Sequence, residues 1–415
     1  MVNIAATGPR NRRTTPKVGL ALAGGGPVGA IYELGVLRAL EDSIEGLDLN
    51  ELDIYIGVSA GGFAAAGLAN GFRPTELYRI FINNDSRELP FKPSLFLRPA
   101  LAEYFRRVLA LPQLVAGAAW RFASGFGRRG LLDSFQRLSR AIPTGIFDNV
   151  HIERFLAHAF SKAGRTNDFR ELKSRLFIVA TELDTGTVVE FGNEGFDHVP
   201  ISTAVTASTA LPGLFPPVEI EGRYYVDGAL RRTLHASVAL DNEASLVICV
   251  NPLVPFDAAL AARAGRARHA SLVEGGLPVV LAQTFRAMIH SRMQVGMAKY
   301  GSEFPHADVV LFEPKRDDEE IFFTNIFSYY SRQRICEHAY QMTRSDLLAR
   351  RHHLAPLLAK HGLRLRLDVL RDPTRHVSGA RLESEIVPTV LARREIRPVL
   401  SETLDDLEHW LQTAC

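Results

Sequence analysis

The sequence predicts an α/β protein: a three-layer α/β/α domain around a central, mostly parallel sheet, with an inserted cap region and a helical C-terminal extension. Two adjoining stretches and one rhythm predict it. Val18 to Ala23 is a short apolar run that empties into Gly24-Gly25-Gly26-Pro27-Val28-Gly29. Ile54 to Val58 is a β-branched and aromatic run that empties into Gly57-Val58-Ser59-Ala60-Gly61. Beyond them, short apolar runs alternate with helical patterns, the habit of layered α/β chains.

Taken in order, residues 1–16 carry Arg10, Arg12 and Arg13 but no apolar block, which predicts a loose basic tail and argues against a secretory signal. The first strand and its glycine turn are followed by Ile31, Leu34, Leu37 and Leu40 at a spacing of three, one face of a helix. Strand, turn, helix and the Ile54 strand make a βαβ unit, whose strands run parallel through a right-handed crossover. Later strands are expected at Leu176–Ala180, Thr187–Phe191, Arg223–Val226, Leu246–Val250 and Val309–Phe312, with helices at Ile152–Phe160 and Ile201–Ala210 between them. The layered domain therefore spans residues 17–315.

Two parts stand outside this rhythm. Residues 84–146 concentrate Phe91, Phe96, Tyr104, Phe105, Trp120, Phe122 and Phe126 among prolines and glycines. Between Asp85 and Gly130 there are eight Lys or Arg against three Asp or Glu. Rings interleaved with cations suit either a cap over the core or peripheral contact with an anionic membrane, and the two readings are compatible. Residues 316–415 turn charged and helical, with Lys315–Glu320 as a solvated loop and Leu400, Leu404, Leu407 and Leu411 in one stripe near the end.

Composition narrows the class. Hydrophobic residues at 47% are enough for a large core and too many for disorder. A net charge of +2 points to no nucleic-acid partner. No apolar run reaches the roughly 18 residues of a membrane span. Three scattered cysteines, Cys249, Cys336 and Cys415, fit a reducing cytoplasm rather than a disulfide framework or a zinc site. Cytoplasmic location, with peripheral contact at a membrane surface, is the expectation.

The two turns carry the chemistry. A serine in a sharp strand-to-helix turn exposes its hydroxyl, and Gly57 and Gly61 stand where side chains would collide as the chain folds back. Gly24-x-Gly26-x-x-Gly29 also has dinucleotide-binding spacing, but the second strand ends without the acid that would hold a ribose, and no Gly-Lys-Ser/Thr follows for a P-loop. Glycine N–H groups at a helix start instead suit an oxyanion hole. Gly24, Gly25 and Gly26, joined by Ala60, would donate to the oxygen formed when Ser59 attacks a carbonyl.

A serine needs a base. His151, His198 and His235 sit in no strand-end loop, whereas Arg223-Tyr224-Tyr225-Val226-Asp227-Gly228 delivers a carboxylate at a strand's end. The glycine turn, the Gly57–Gly61 turn and Asp227-Gly228-Ala229, in this order, with Ser208, Ala210 and Pro212 ahead of the third, resemble the patatin-like phospholipase family over residues 17–255. The resemblance implies a calcium-independent Ser–Asp dyad without a cofactor, acting on acyl esters of lipids, with Ser59 as nucleophile and Asp227 as base. This chain departs at Val28, where the family usually has Arg or Lys; Arg231 and Arg232 are candidates to restore that charge. Rival readings are a Ser–His–Asp hydrolase, an acyltransferase on the same dyad, and a lipid-binding protein without catalysis.

Overall fold

The computed structural model describes residues 4–5, 16–86, 88–91, 98–100, 143–231, 233–265, 271–323 and 329–379. The leucine stripe at 400–411, Arg232 and most of the 84–146 insert, with Phe96, Tyr104, Phe105, Trp120, Phe122 and Phe126, lie outside them.

The strands are β1 (Ile4–Ala5), β2 (Val18–Leu22), β3 (Ile44–Glu45), β4 (Ile54–Val58), β5 (Arg175–Glu182), β6 (Val188–Phe191), β7 (Val218–Ile220), β8 (Arg223–Asp227), β9 (Leu246–Val250), β10 (Asp308–Phe312) and β11 (Arg364–Leu365). Among the described residues, nine form one sheet in the order β1-β10-β9-β2-β4-β5-β8-β7, with β6 also on β5. Its centre, β10-β9-β2-β4-β5, is parallel throughout. The edge pairings β1–β10, β5–β6, β5–β8 and β7–β8 are antiparallel. β3 and β11 form a small separate antiparallel pair.

Alternation along the central strands shows why the sheet is covered on both faces. Leu20, Leu22, Tyr55, Ile178, Ile248 and Val250 enter one apolar cluster, while their neighbours Ala21, Ile54, Ile56, Phe177, Val247 and Cys249 enter another. Strands buried on both faces read as unbroken apolar runs, the signal carried by Leu246–Val250. The main helices are α1 (Gly26–Ser43), α2 (Ala60–Ala69), α3 (Val150–Phe160), α4 (Ile201–Ser208), α5 (Gly276–Glu303) and α6 (Tyr329–Ala349). The first four and α6 feed the first cluster through residues such as Leu34, Ala65, Ile152, Val205 and Ile335. α5 feeds the second through Met293 and Met297, beside Val238 of the short helix Ala236–Asp241.

The charged C-terminal region joins this core. At Gly35 of α1 an added Cβ would lie 2.8 Å from the Ala339 Cβ of α6, so the two helices meet almost backbone to backbone. The Lys315–Glu320 stretch, expected as a solvated loop, is pinned instead: Asp318 accepts from His338 Nε2 at 2.7 Å and Glu320 pairs with Arg334 at 2.7 Å. In the insert, Phe91 turns inward. It is buried and stacks edge to face on Phe81 and Phe155, with centroids 4.9 and 5.6 Å away.

Candidate active site

β2 and β4 are parallel neighbours, with Leu22 opposite Gly57, so both turns leave the same edge of the sheet. β8 reaches that edge from the opposite direction. The register Val58 to Val179 on β4–β5 puts the next residue, Ser59, level with Ala180, and Ala180 faces Asp227 on the antiparallel β5–β8 ladder. The carboxylate is thus delivered by a strand descending toward the serine rather than by another parallel strand.

Ser59 has φ 51° and ψ −123°, a backbone that L-residues rarely adopt, between the end of β4 and the start of α2. The fold over-determines this strain. A Cβ on Gly57 would lie 2.5 Å from the Gly62 Cα, and one on Gly61 would lie 2.6 Å from the Leu22 carbonyl oxygen. The Ser59 N–H donates to the Ser208 hydroxyl at 2.8 Å, and that hydroxyl donates in turn to the Val179 carbonyl. Ser208, the last residue of α4, therefore ties the turn to β5.

Ser59 Oγ donates to Asp227 Oδ2 at 2.6 Å, and both residues are buried. The second carboxylate oxygen, Oδ1, accepts the Ala229 N–H at 2.8 Å, and the Asp227 N–H donates to the Ala210 carbonyl at 3.0 Å. Burial pushes the Asp227 carboxyl up to about 6, against the opposing pull of the hydrogen bonds from Ser59 and Ala229. A serine hydroxyl held on a carboxylate of raised basicity can pass its proton there as it attacks.

The glycine turn lies beside this pair. A Cβ on Gly24 would sit 3.1 Å from the Ser59 Cβ and 2.9 Å from the Ala229 Cβ, so nothing larger than glycine fits. As an oxyanion donor, however, Gly24 is a correction: its N–H donates to the Thr233 carbonyl at 3.3 Å and is already spent. Gly25 caps α1 and Gly26 begins it with φ 60°, so their N–H groups belong to a helix start, where no intrahelical acceptor exists. Ala60, the first residue of α2, is in the same condition. Pro252 closes the back of the turn, 2.5 Å from where a Gly25 Cβ would be.

The histidines stand apart. Among the described residues, no imidazole is bonded to Ser59 or Asp227. His198 Nε2 meets Glu221 at 2.7 Å on the surface. His151 opens the exposed side of α3, where partial burial and Arg98 pull its pKa down. His235 is buried at the cap of the helix Ala236–Asp241. Val28 is buried in the apolar cluster under α1, so the departure noted above replaces a cation with core. Arg231 turns outward to donate to the Gly186 carbonyl.

A family model described as patatin-like phospholipase matches residues 20–240, more than half of the chain. Among solved structures, the chain is similar to VipD from Legionella pneumophila, at 16% identity and a TM-score of 0.36, covering 80% of this chain and 66% of that one. It is also similar to full-length ExoU, solved with SpcU from the type III secretion system of Pseudomonas aeruginosa, at 15% identity and a TM-score of 0.25, covering 74% and 59%. This chain thus spans less than two thirds of either relative. The motifs and the family match cover the same stretch, and the chain belongs to the patatin-like phospholipase family of lipid hydrolases.

Proposed function

We propose that this protein hydrolyses fatty-acyl esters of lipids through a Ser59–Asp227 dyad and an acyl-enzyme. The observation that carries the reading is the buried 2.6 Å hydrogen bond from Ser59 Oγ to Asp227, made from a serine in a strained strand-to-helix turn.

In the first half-reaction Ser59 Oγ attacks the ester carbonyl carbon while its proton passes to Asp227. The carbonyl oxygen becomes an oxyanion, received by the N–H groups of Gly25, Gly26 and Ala60. Each such donor is worth roughly a hundred- to thousandfold in rate. Collapse breaks the ester C–O bond, and the leaving alcohol takes the proton from Asp227. In the second half, water gives a proton to Asp227 as it attacks the acyl-serine. Ser59 leaves with that proton restored, and the fatty acid departs. One carboxylate serves as base and acid in turn, which suits a pKa near neutrality better than one near 4.

The buried Val28 supports a preference set by the acyl ester more than by a phosphate headgroup, since it leaves the first turn of α1 without a cation at that position. The test is Ser59→Ala, assayed on a p-nitrophenyl ester and on a lipid panel by mass spectrometry, with fluorophosphonate labelling of the wild type. The expected result is labelling at Ser59 and loss of all turnover in a folded variant. Full activity in Ser59→Ala would remove the mechanism.

A further inference from the structure

Helix α5 divides into two faces. Val279, Arg286, Ile289, His290, Met293, Met297 and Tyr300 turn toward the protein, and His290, Met293, Met297 and Tyr300 are buried. Leu277, Leu281, Phe285, Met288, Arg292, Val295 and Lys299, spaced by threes and fours, form the opposite stripe. Its apolar members are open to solvent: Leu277 is 69% exposed, Phe285 53% and Val295 59%. A helix half that is apolar on both faces is ordinarily covered by something. Among the described residues, nothing covers this one.

The stripe has a charge as well as an apolar character. Its two ionisable members, Arg292 and Lys299, are both cations, and α5 holds no acid before Glu303, its last residue. Its position is equally specific. Met293 and Met297 pack in the same cluster as Ala229, two residues past Asp227, and Arg292 Nη1 reaches the Leu230 carbonyl at 3.5 Å. Gln283 exchanges two hydrogen bonds with the backbone of Phe256, at 3.0 and 2.8 Å, on the segment that begins at Pro252 behind the glycine turn. Leu211 and Leu230, beside the residues that hold Asp227, are also exposed.

We infer that the outer stripe of α5 is the surface by which this protein lies on an anionic lipid bilayer, with Leu277, Leu281, Phe285 and Met288 entering the acyl boundary and Arg292 and Lys299 at the headgroups. The inference rests on the lipid-ester reading above, because it explains how a buried dyad meets a substrate that resides in a membrane. An interfacial helix needs one apolar stripe flanked by cations and lies in the plane of the interface. Among the described residues no helix is long and apolar enough to cross a membrane. The same stripe of a second copy is a poorer partner for this face, since it brings two more cations and no acid to meet them.

The test is flotation of the full chain with phosphatidylcholine vesicles, with and without phosphatidylglycerol, comparing wild type with Leu281→Glu/Phe285→Glu and separately with Lys299→Glu. Wild type is expected to bind the anionic vesicles and lose that binding in high salt. The double variant should bind at least tenfold less, and Lys299→Glu should weaken binding to anionic vesicles only. Turnover of a water-soluble p-nitrophenyl ester should stay within twofold of wild type in both, which separates this proposal from the catalytic one. The proposal is overturned if wild type ignores anionic vesicles or if the double variant binds as wild type does. It is also overturned if sedimentation shows a wild-type dimer that the double variant breaks.

Discussion

Ser208 holds Ser59 by its backbone: the Ser208 hydroxyl accepts the Ser59 N–H at 2.8 Å and donates its own hydrogen bond to the Val179 carbonyl. Its contact is with the Ser59 N–H and not with Oγ, so in the proposed mechanism it is a positioning residue. Ser208→Ala leaves a buried N–H without an acceptor, at a cost of about 1–3 kcal/mol. The turn should relax, with kcat lowered about ten- to a hundredfold and KM unchanged. Steady-state kinetics beside urea unfolding checks both, and a stability loss with intact kcat would reduce Ser208 to a structural role.

In the proposed dyad, the raised basicity of Asp227 sets an acid limit on activity. The group must be ionised to accept the serine proton, and burial pushes its pKa up to about 6. The free-enzyme profile, kcat/KM against pH on a soluble ester, should fall about tenfold per pH unit below that value and level off above it. A limb centred near 4 would mean that the carboxylate is not desolvated as described.

The same burial makes Asp227 a stability liability at neutral pH. Its folded pKa lies above the unfolded value near ~3.9. The native state therefore keeps a proton that the unfolded chain has lost, and the stability this confers disappears as pH rises through the folded value. Asp227→Asn keeps the shape and can still bond Ser59 and Ala229. The variant should be inactive, match wild type in stability near pH 4, and exceed it above pH 7 by on the order of 3 kcal/mol, read by urea unfolding.

Gly61 and Gly62 are adjacent but not equivalent. A Cβ at Gly61 would press on the Leu22 and Ala23 carbonyl oxygens at 2.6 and 2.7 Å, backbone atoms that cannot step aside. At Gly62 the nearest atom would be the Ile178 Cδ1 at 3.7 Å, an ordinary contact. Gly61→Ala should cost about 1–3 kcal/mol and most of the activity by parting α2 from β2. Gly62→Ala should be neutral or stabilised by roughly 0.5–1 kcal/mol, since alanine is the better helix former. Thermal melts and ester turnover on the pair separate the two.

These particulars show what was legible in the residues and what was not. Ser59, Gly57, Gly61 and Asp227 were readable because strand ends, small residues and a lone carboxylate are local signals. The direction of β8 was not, because an antiparallel partner and a parallel one leave the same mark on a five-residue strand. Gly24 was misread as an oxyanion donor because its N–H is consumed by Thr233, a residue more than two hundred positions away. Ser208 was visible only as part of a familiar stretch; its bond to Ser59 depends on how α4 docks. The exposure of the α5 stripe carries no mark in the sequence, since a solvent-facing apolar residue and a buried one are written alike until the neighbours are known.

β4 and β5 lie side by side, yet among the described residues the chain leaves the sheet after Val58 and is next found in it at Arg175. The long detour thus starts and finishes at one seam, between the strand that runs into Ser59 and the strand that pairs with Asp227. The closing cost of a loop grows only slowly with its length, so the seam itself sets little limit on how long the connection can be. On the proposed mechanism, substrate choice can then change in one region while Ser59 and Asp227 stay anchored in another.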